Sequence, residues 1–218
     1  DEHFIAGIAS RFDEHKIPYV MWGGPLLAVY GCPSNTMSRH AFVIDDHMIK
    51  RARDMLINVG FNRCKEEWCG WKPECAEHVH LDGFDQVIQL FKHSDVLWNI
   101  PSLAVEPTSY RSNKKRPDII LSCDQTRTAP HNYCLNTGRH TSLIHPIRIP
   151  SAWRLIEALI LKDQRNYCYW PYALESLTAC VFNKNIFSIN DLDPSHRRFF
   201  ESLSVENSMD YDDAYQCI

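Results

Sequence analysis

The stretch YVMWGGPLLAVYGCPSNTMSRHAFVIDD, residues 19–46, decides the fold. Tyr19 to Trp22 are bulky and apolar, and they read as a short strand starting just after Pro18. Gly23-Gly24 follows at once. Pro25 is suited to the first turn of a helix, which the pattern carries to Tyr30. Gly31-Cys32-Pro33-Ser34-Asn35 is turn chemistry. His40 to Ile44 is then a continuous apolar run, which implies a strand buried on both faces. Asp45 and Asp46 end it, and either is suited to cap the helix that follows.

The neighbouring segments extend the same alternation. Upstream, Phe4, Ile5, Ile8, Ala9 and Phe12 fall at helical spacing within residues 3–16. Downstream, Met48, Ala52, Met55, Leu56 and Val59 form one stripe, with Lys50, Arg51 and Arg53 off it and Gly60 where a C-terminal cap belongs. Residues 64–75 mix Trp, Gly, Pro and charge and read as an excursion. Glu77–Leu81 and Gln86–Lys92 read as strands joined at Asp82-Gly83. A polar connector, residues 101–117, leads to a short strand at Asp118–Ser122.

Residues 124–148 have no periodicity, and a loop of that length is usually functional or disordered; a lid is one reading. From Pro150 the chain turns helical. Ser151 caps a helix carrying Ala152, Leu155, Ile156, Leu159 and Ile160, and Pro171–Phe182 and Pro194–Leu203 read as two more. The expected architecture is α/β (α+β), a mixed sheet flanked by helices. It divides into a core at 1–123, a connecting loop at 124–149, a helical annex at 150–205 and an acidic tail at 206–218.

The order of strand, Gly-Gly turn, helix and buried strand resembles the start of the nucleotidyltransferase (polymerase-β-like) superfamily. There the glycine turn lets backbone approach a triphosphate, and an Arg-x-Thr-x-Asp-x-Asp strand supplies two carboxylates for magnesium. A glycine-rich turn at a helix N-terminus offers N–H groups to phosphate, and carboxylates two residues apart on a strand point the same way. Such a pair can hold two metal ions for an in-line displacement. By this resemblance Gly23, Gly24, Thr36 and Ser38 are ligand-binding positions. Ser34 stands where the Arg would be, and Ser38 and His40 stand where the acids would be. The third acid's counterpart is Gln89, with Asp82, Asp85 and Asp118 nearby only in sequence. Ser94 to Pro101, with Ile149-Pro150-Ser151 leading into Leu155–Leu159, is similar to uncharacterised fungal proteins of this fold.

The resemblance implies a degenerate site, a pseudoenzyme that binds a nucleotide or other small molecule without two-metal transfer. Three alternatives stand beside it. One is an enzyme of fungal metabolism using metal-free acid–base chemistry at His40, with Asp45 or Asp118. Another is an active nucleotidyltransferase whose ligands for Mg2+ have relocated to Asp45 with Asp82 or Asp118. The last is a protein-interaction module acting through the acidic tail.

Cys64, Cys69, Cys75, His78 and His80 are the densest set of soft ligands, and zinc is the metal they suit. His78 and His80 share one face of a strand. Arg111, Lys114, Lys115 and Arg116 form a basic run that suits phosphate or a solvated loop. Tyr167, Tyr169, Trp170 and Tyr172 suit base stacking or helix packing.

The 218 residues carry a net charge of −4, without the positive field of most nucleic-acid binders. No apolar run is long enough for a membrane helix. Nine cysteines, an odd number, favour free thiols in a reducing compartment, and a cytoplasmic location is expected. Gly-x-Ser-x-Gly, Walker and His-Glu-x-x-His motifs do not occur.

Overall fold

The uncharged run near the end of the deciding stretch becomes an inner strand of the sheet. In the computed structural model, which describes residues 2–32, 39–65, 69, 75–81, 86–103, 117–132, 134–163, 186 and 188–198, strand β2 spans Arg39–Ile44. It pairs antiparallel with β1 (Tyr19–Trp22) and parallel with β5 (Gln86–Lys92). β4 (Glu77–Leu81) and β3 (Asn62–Arg63) complete a five-stranded sheet of order β1-β2-β5-β4-β3. A central strand with neighbours on both sides needs apolar side chains on both faces. Ala41, Phe42, Val43 and Ile44 meet that need, and all are buried.

Helix α1 (Glu2–Glu14) covers one face through Ile5, Ile8, Ala9 and Phe12. Phe12 sits 5.2 Å from Phe42 and 5.3 Å from Tyr19, ring centre to ring centre. Such aromatic pairs add about 1 kcal/mol each beyond the area they bury. Helix α3 (Ile49–Asn58) buries Ile49, Ala52, Met55 and Leu56, and Arg53 reaches Glu77 of β4 at 2.8 Å.

Three helices end in the same way. After α3, Gly60 has φ +108°, and the Phe61 and Gly60 amides donate back to Leu56 and Ile57. After α2 (Gly24–Val29), Gly31 at φ +87° lets Cys32 and Gly31 donate to Leu27 and Ala28. After α1 the pattern recurs with Ile17 and Lys16 donating to Phe12 and Asp13, but Lys16 holds φ +55° without being glycine.

β6 (Ile119–Leu121) and β7 (Arg148–Pro150) form a separate antiparallel ribbon rather than extending the sheet. The ribbon is tied to α1, β1 and α2. Arg148 and His145 both pair with Asp13, Arg148 lies over the Tyr19 ring at 4.9 Å, and the Tyr30 hydroxyl donates to the Pro150 carbonyl at 2.6 Å. Helix α5 (Ala152–Asp163) then buries Leu155, Ile156, Leu159 and Ile160. The two later helices expected at Pro171–Phe182 and Pro194–Leu203 fall wholly or partly outside the described residues, as does the acidic tail.

The expected loop at 124–148 is irregular but docked. The Ala129 and Gly138 amides donate to the Val29 and Ala28 carbonyls at 3.2 and 2.7 Å, so this segment satisfies the C-terminal end of α2.

Candidate functional site

Gly23 is where the chain leaves the sheet. Its φ of 74° and ψ of −152° lie in a region that side chains essentially forbid. A Cβ there would rest 3.6 Å from Ala41 Cβ, an ordinary contact, so the backbone angle and not crowding requires glycine. Pro25 lies in the first turn of α2, whose opening is the bond from the Leu27 amide to the Gly23 carbonyl at 3.1 Å. α2 runs only from Gly24 to Val29, so the dipole it presents at the turn is small.

The sheet register determines which side chains share the face beside this turn. Trp22 pairs with Ala41, Ala41 with Gln89, and Gln89 with His78. Paired residues lie on one face and successive residues alternate. Ala41, Val43, Gln89 and Phe91 therefore share one face, while His40, Phe42 and Ile44 share the other, where α1 packs. The resemblance puts His40 where an acid would stand, and this register turns its ring to the face where α1 packs. His40 is 2% exposed and stands 4.9 Å from the Phe4 ring. Burial pushes its imidazolium down to about 4, so the ring is neutral at pH 7. Neither of its ring nitrogens has a hydrogen-bond partner among the described residues.

Gln89 is a polar group on the face of the turn, as is His78 opposite it on β4. Gln89 is buried, and its Nε2 has no hydrogen-bond partner among the described residues. No Asp or Glu occurs in β1, β2 or β5. Ala41 and Val43, which the resemblance does not single out, share Gln89's face.

The candidate carboxylates lie elsewhere and do not converge. Asp45 follows the far end of β2, four residues or about 13 Å along the strand from Ala41, and pairs with His47 at 2.6 Å. Its side chain makes no cap bond, which corrects the expected role. Asp46 does cap a helix, but a distant one: it accepts from the Ser94 amide at 3.0 Å at the start of α4 (His93–Val96). Burial raises the Asp46 pKa, but the Ser94 hydrogen bonds outweigh it and hold the group below its ordinary range. Asp118 precedes β6 and accepts from Arg154 Nε at 2.7 Å. Ser34, Thr36, Ser38, Asp82, Asp85, the Arg111–Arg116 run and the Tyr167–Tyr172 aromatics lie outside the described residues.

Two solved structures share parts of this outline. A crystal structure of ANT(2'')-Ia in complex with adenylyl-2''-tobramycin has a TM-score of 0.48 and 12% identity, over 91% of this chain and 95% of that one. A solution structure of the antibiotic-resistance factor ANT(2'')-Ia has a TM-score of 0.45 and 11% identity, over 84% of this chain and 83% of that one. No family model matches the chain, and no curated protein matches it.

The soft ligands fare differently from the acids. Of the five expected, Cys64, Cys69, His78 and His80 come together beside β4, and Cys75 stands next to them. No helix among the described residues is long and apolar enough to cross a membrane.

Proposed function

We propose that the chain is a nucleotidyltransferase-fold protein that binds a nucleotide or another small molecule beside the Gly23–Gly24 turn without two-metal nucleotidyl transfer. One observation carries the reading: Ala41, Val43 and Gln89 occupy the sheet face beside the glycine turn, and β1, β2 and β5 hold no carboxylate. Two-metal transfer needs hard oxygen ligands on that face to hold the ions and the transferring phosphoryl group. Methyl and isopropyl groups supply none, and a carboxamide supplies one neutral oxygen. What the face does supply is a buried amide donor and a turn whose backbone only glycine can adopt. Both suit recognition of a polar ligand group, since a buried donor gains most from finding a partner.

The remaining alternatives find less support. Acid–base chemistry at His40 would need the ring on the face away from α1. Relocated Mg2+ ligands at Asp45 would sit at the far end of β2.

Equilibrium binding of ATP, CTP, GTP and UTP, with magnesium omitted, tests the reading. Gln89→Leu should weaken the best ligand about tenfold, the loss of one buried hydrogen bond. Unchanged affinity in that variant counts against the face. Magnesium-dependent release of pyrophosphate by the wild type refutes the loss of transfer.

A further inference from the structure

We propose that Cys64, Cys69, His78 and His80 bind one structural Zn2+ ion. Their ligand atoms all lie within 4.8 Å of one another. Cys69 Sγ is 3.3 Å from His78 Nε2 and 3.8 Å from His80 Nε2. Tetrahedral zinc with ordinary Zn–S and Zn–N lengths sets thiolate and imidazole atoms about 3.6 Å apart, between those two values.

The strand fold explains how the pair of histidines is presented. His78 and His80 are two apart on β4 and so lie on one face, with ring centres 5.1 Å apart. Cys64 comes just after β3, which is paired to β4 through Asn62 and His80. Cys69 comes from the excursion between β3 and β4 and is buried. Three short pieces of chain thus converge at one edge of the sheet.

The donor set selects the metal. Two thiolates and two neutral imidazoles leave a zinc complex with no net charge, which suits the burial of Cys69 and His78. Two nitrogen and two sulfur donors favour zinc over magnesium or calcium, which take oxygen. Four protein ligands fill a tetrahedron and leave no position for substrate, so the role is structural. Binding displaces the two thiol protons to solvent. Cys75 completes the arrangement from outside: its Sγ is 3.9 Å from His78 Nδ1, the nitrogen facing away from Cys69. A partner there helps fix the ring so that Nε2 faces the ion. The five soft ligands seen in the sequence therefore divide into four ligands and one orienting neighbour.

Zinc content by elemental analysis, on the full chain purified without chelators or a histidine tag, tests this. One zinc per chain is expected. Cys69→Ser combined with His80→Ala removes half of the ligand set and should abolish the bound zinc, while Cys134→Ser, an exposed cysteine on the 124–148 loop, should leave it unchanged. Should the double variant fail to fold, the wild type carries the test. Cobalt added in place of zinc should give a thiolate charge-transfer band, and Cys64 and Cys69 should resist alkylation until a chelator is added. Wild-type protein without zinc, with no such band and with both thiols alkylated equally before and after chelation, overturns the proposal. So does loss of the metal from Cys134→Ser but not from the double variant.

Discussion

His40 is buried neutral, and that makes stability depend on pH in a specific direction. Its folded pKa of about 4 lies below the ordinary 6.5, so the unfolded chain takes up the proton first. The contribution is complete above pH 6.5 and is lost as pH falls toward 4. A gap of about 2.5 pH units is worth about 3.4 kcal/mol in full, of which about 2 kcal/mol is already gone at pH 5. Leucine at this position keeps an apolar group of similar size against Phe4 and cannot titrate. Urea unfolding of the wild type and His40→Leu, at roughly pH 7.5 and roughly pH 5, measures the effect. The stability difference between the two proteins should shift by about 2 kcal/mol in favour of the variant at the lower pH. Comparing differences cancels the groups that both proteins share, the cysteine–histidine cluster included. Parallel curves, with the difference constant between the two pH values, would mean that His40 titrates like an exposed histidine and that its placement against α1 is wrong.

Three further substitutions probe the frame that holds the site. Lys16→Gly should raise the thermal midpoint, because a lysine at φ +55° carries left-handed strain of about 1 kcal/mol that glycine avoids. Gly138→Ala should lower stability by about 2 kcal/mol or more in denaturant titration, since its φ is +100° and an added Cβ would overlap the Pro130 carbonyl. The same change should loosen the Gly138 amide bond to Ala28, seen as faster hydrogen exchange there. Glu157→Ala should cost about 1–2 kcal/mol in the same titration. This buried carboxylate accepts from the Asp193 amide at 2.9 Å and from Arg154 at 3.1 Å, and its loss leaves those donors short of a partner.

The strands were legible where burial dictates composition. Tyr19–Trp22, Glu77–Leu81 and Gln86–Lys92 have the bounds read from the sequence, and Gly60 caps α3 as its position suggests. β7 was hidden across the expected boundary between loop and annex because three residues, Arg148-Ile149-Pro150, carry no alternation to read. The left-handed Lys16 was hidden because only its neighbours' hydrogen bonds impose that angle.

Which side chains share the face beside the glycine turn was only partly legible. Alternation along β2 separates His40 from Ala41 but does not say which of them faces the glycine turn. That choice is made by pairing with β1 and β5, a non-local fact. Gln89 offered the one local clue, since a polar residue within the apolar run of β5 marks the face to match. Asp45 and Asp46 illustrate the same limit: either suits a helix cap, yet Asp46 caps α4, 48 residues away. The cysteine–histidine cluster needed the fold to bring Cys64 and Cys69 to β4, because its spacing matches no stock zinc pattern.

A thermal-shift titration with ATP, CTP, GTP and UTP, each with magnesium present and with magnesium omitted rather than chelated, tests the central claim most directly. A ligand at about a hundred times its Kd stabilises the native state by about 2.7 kcal/mol, roughly 5–10 °C for a chain of this size. The account predicts such a rise with at least one nucleotide, equal in size with and without magnesium. A rise that appears only when magnesium is present would mean a working metal site and would contradict it.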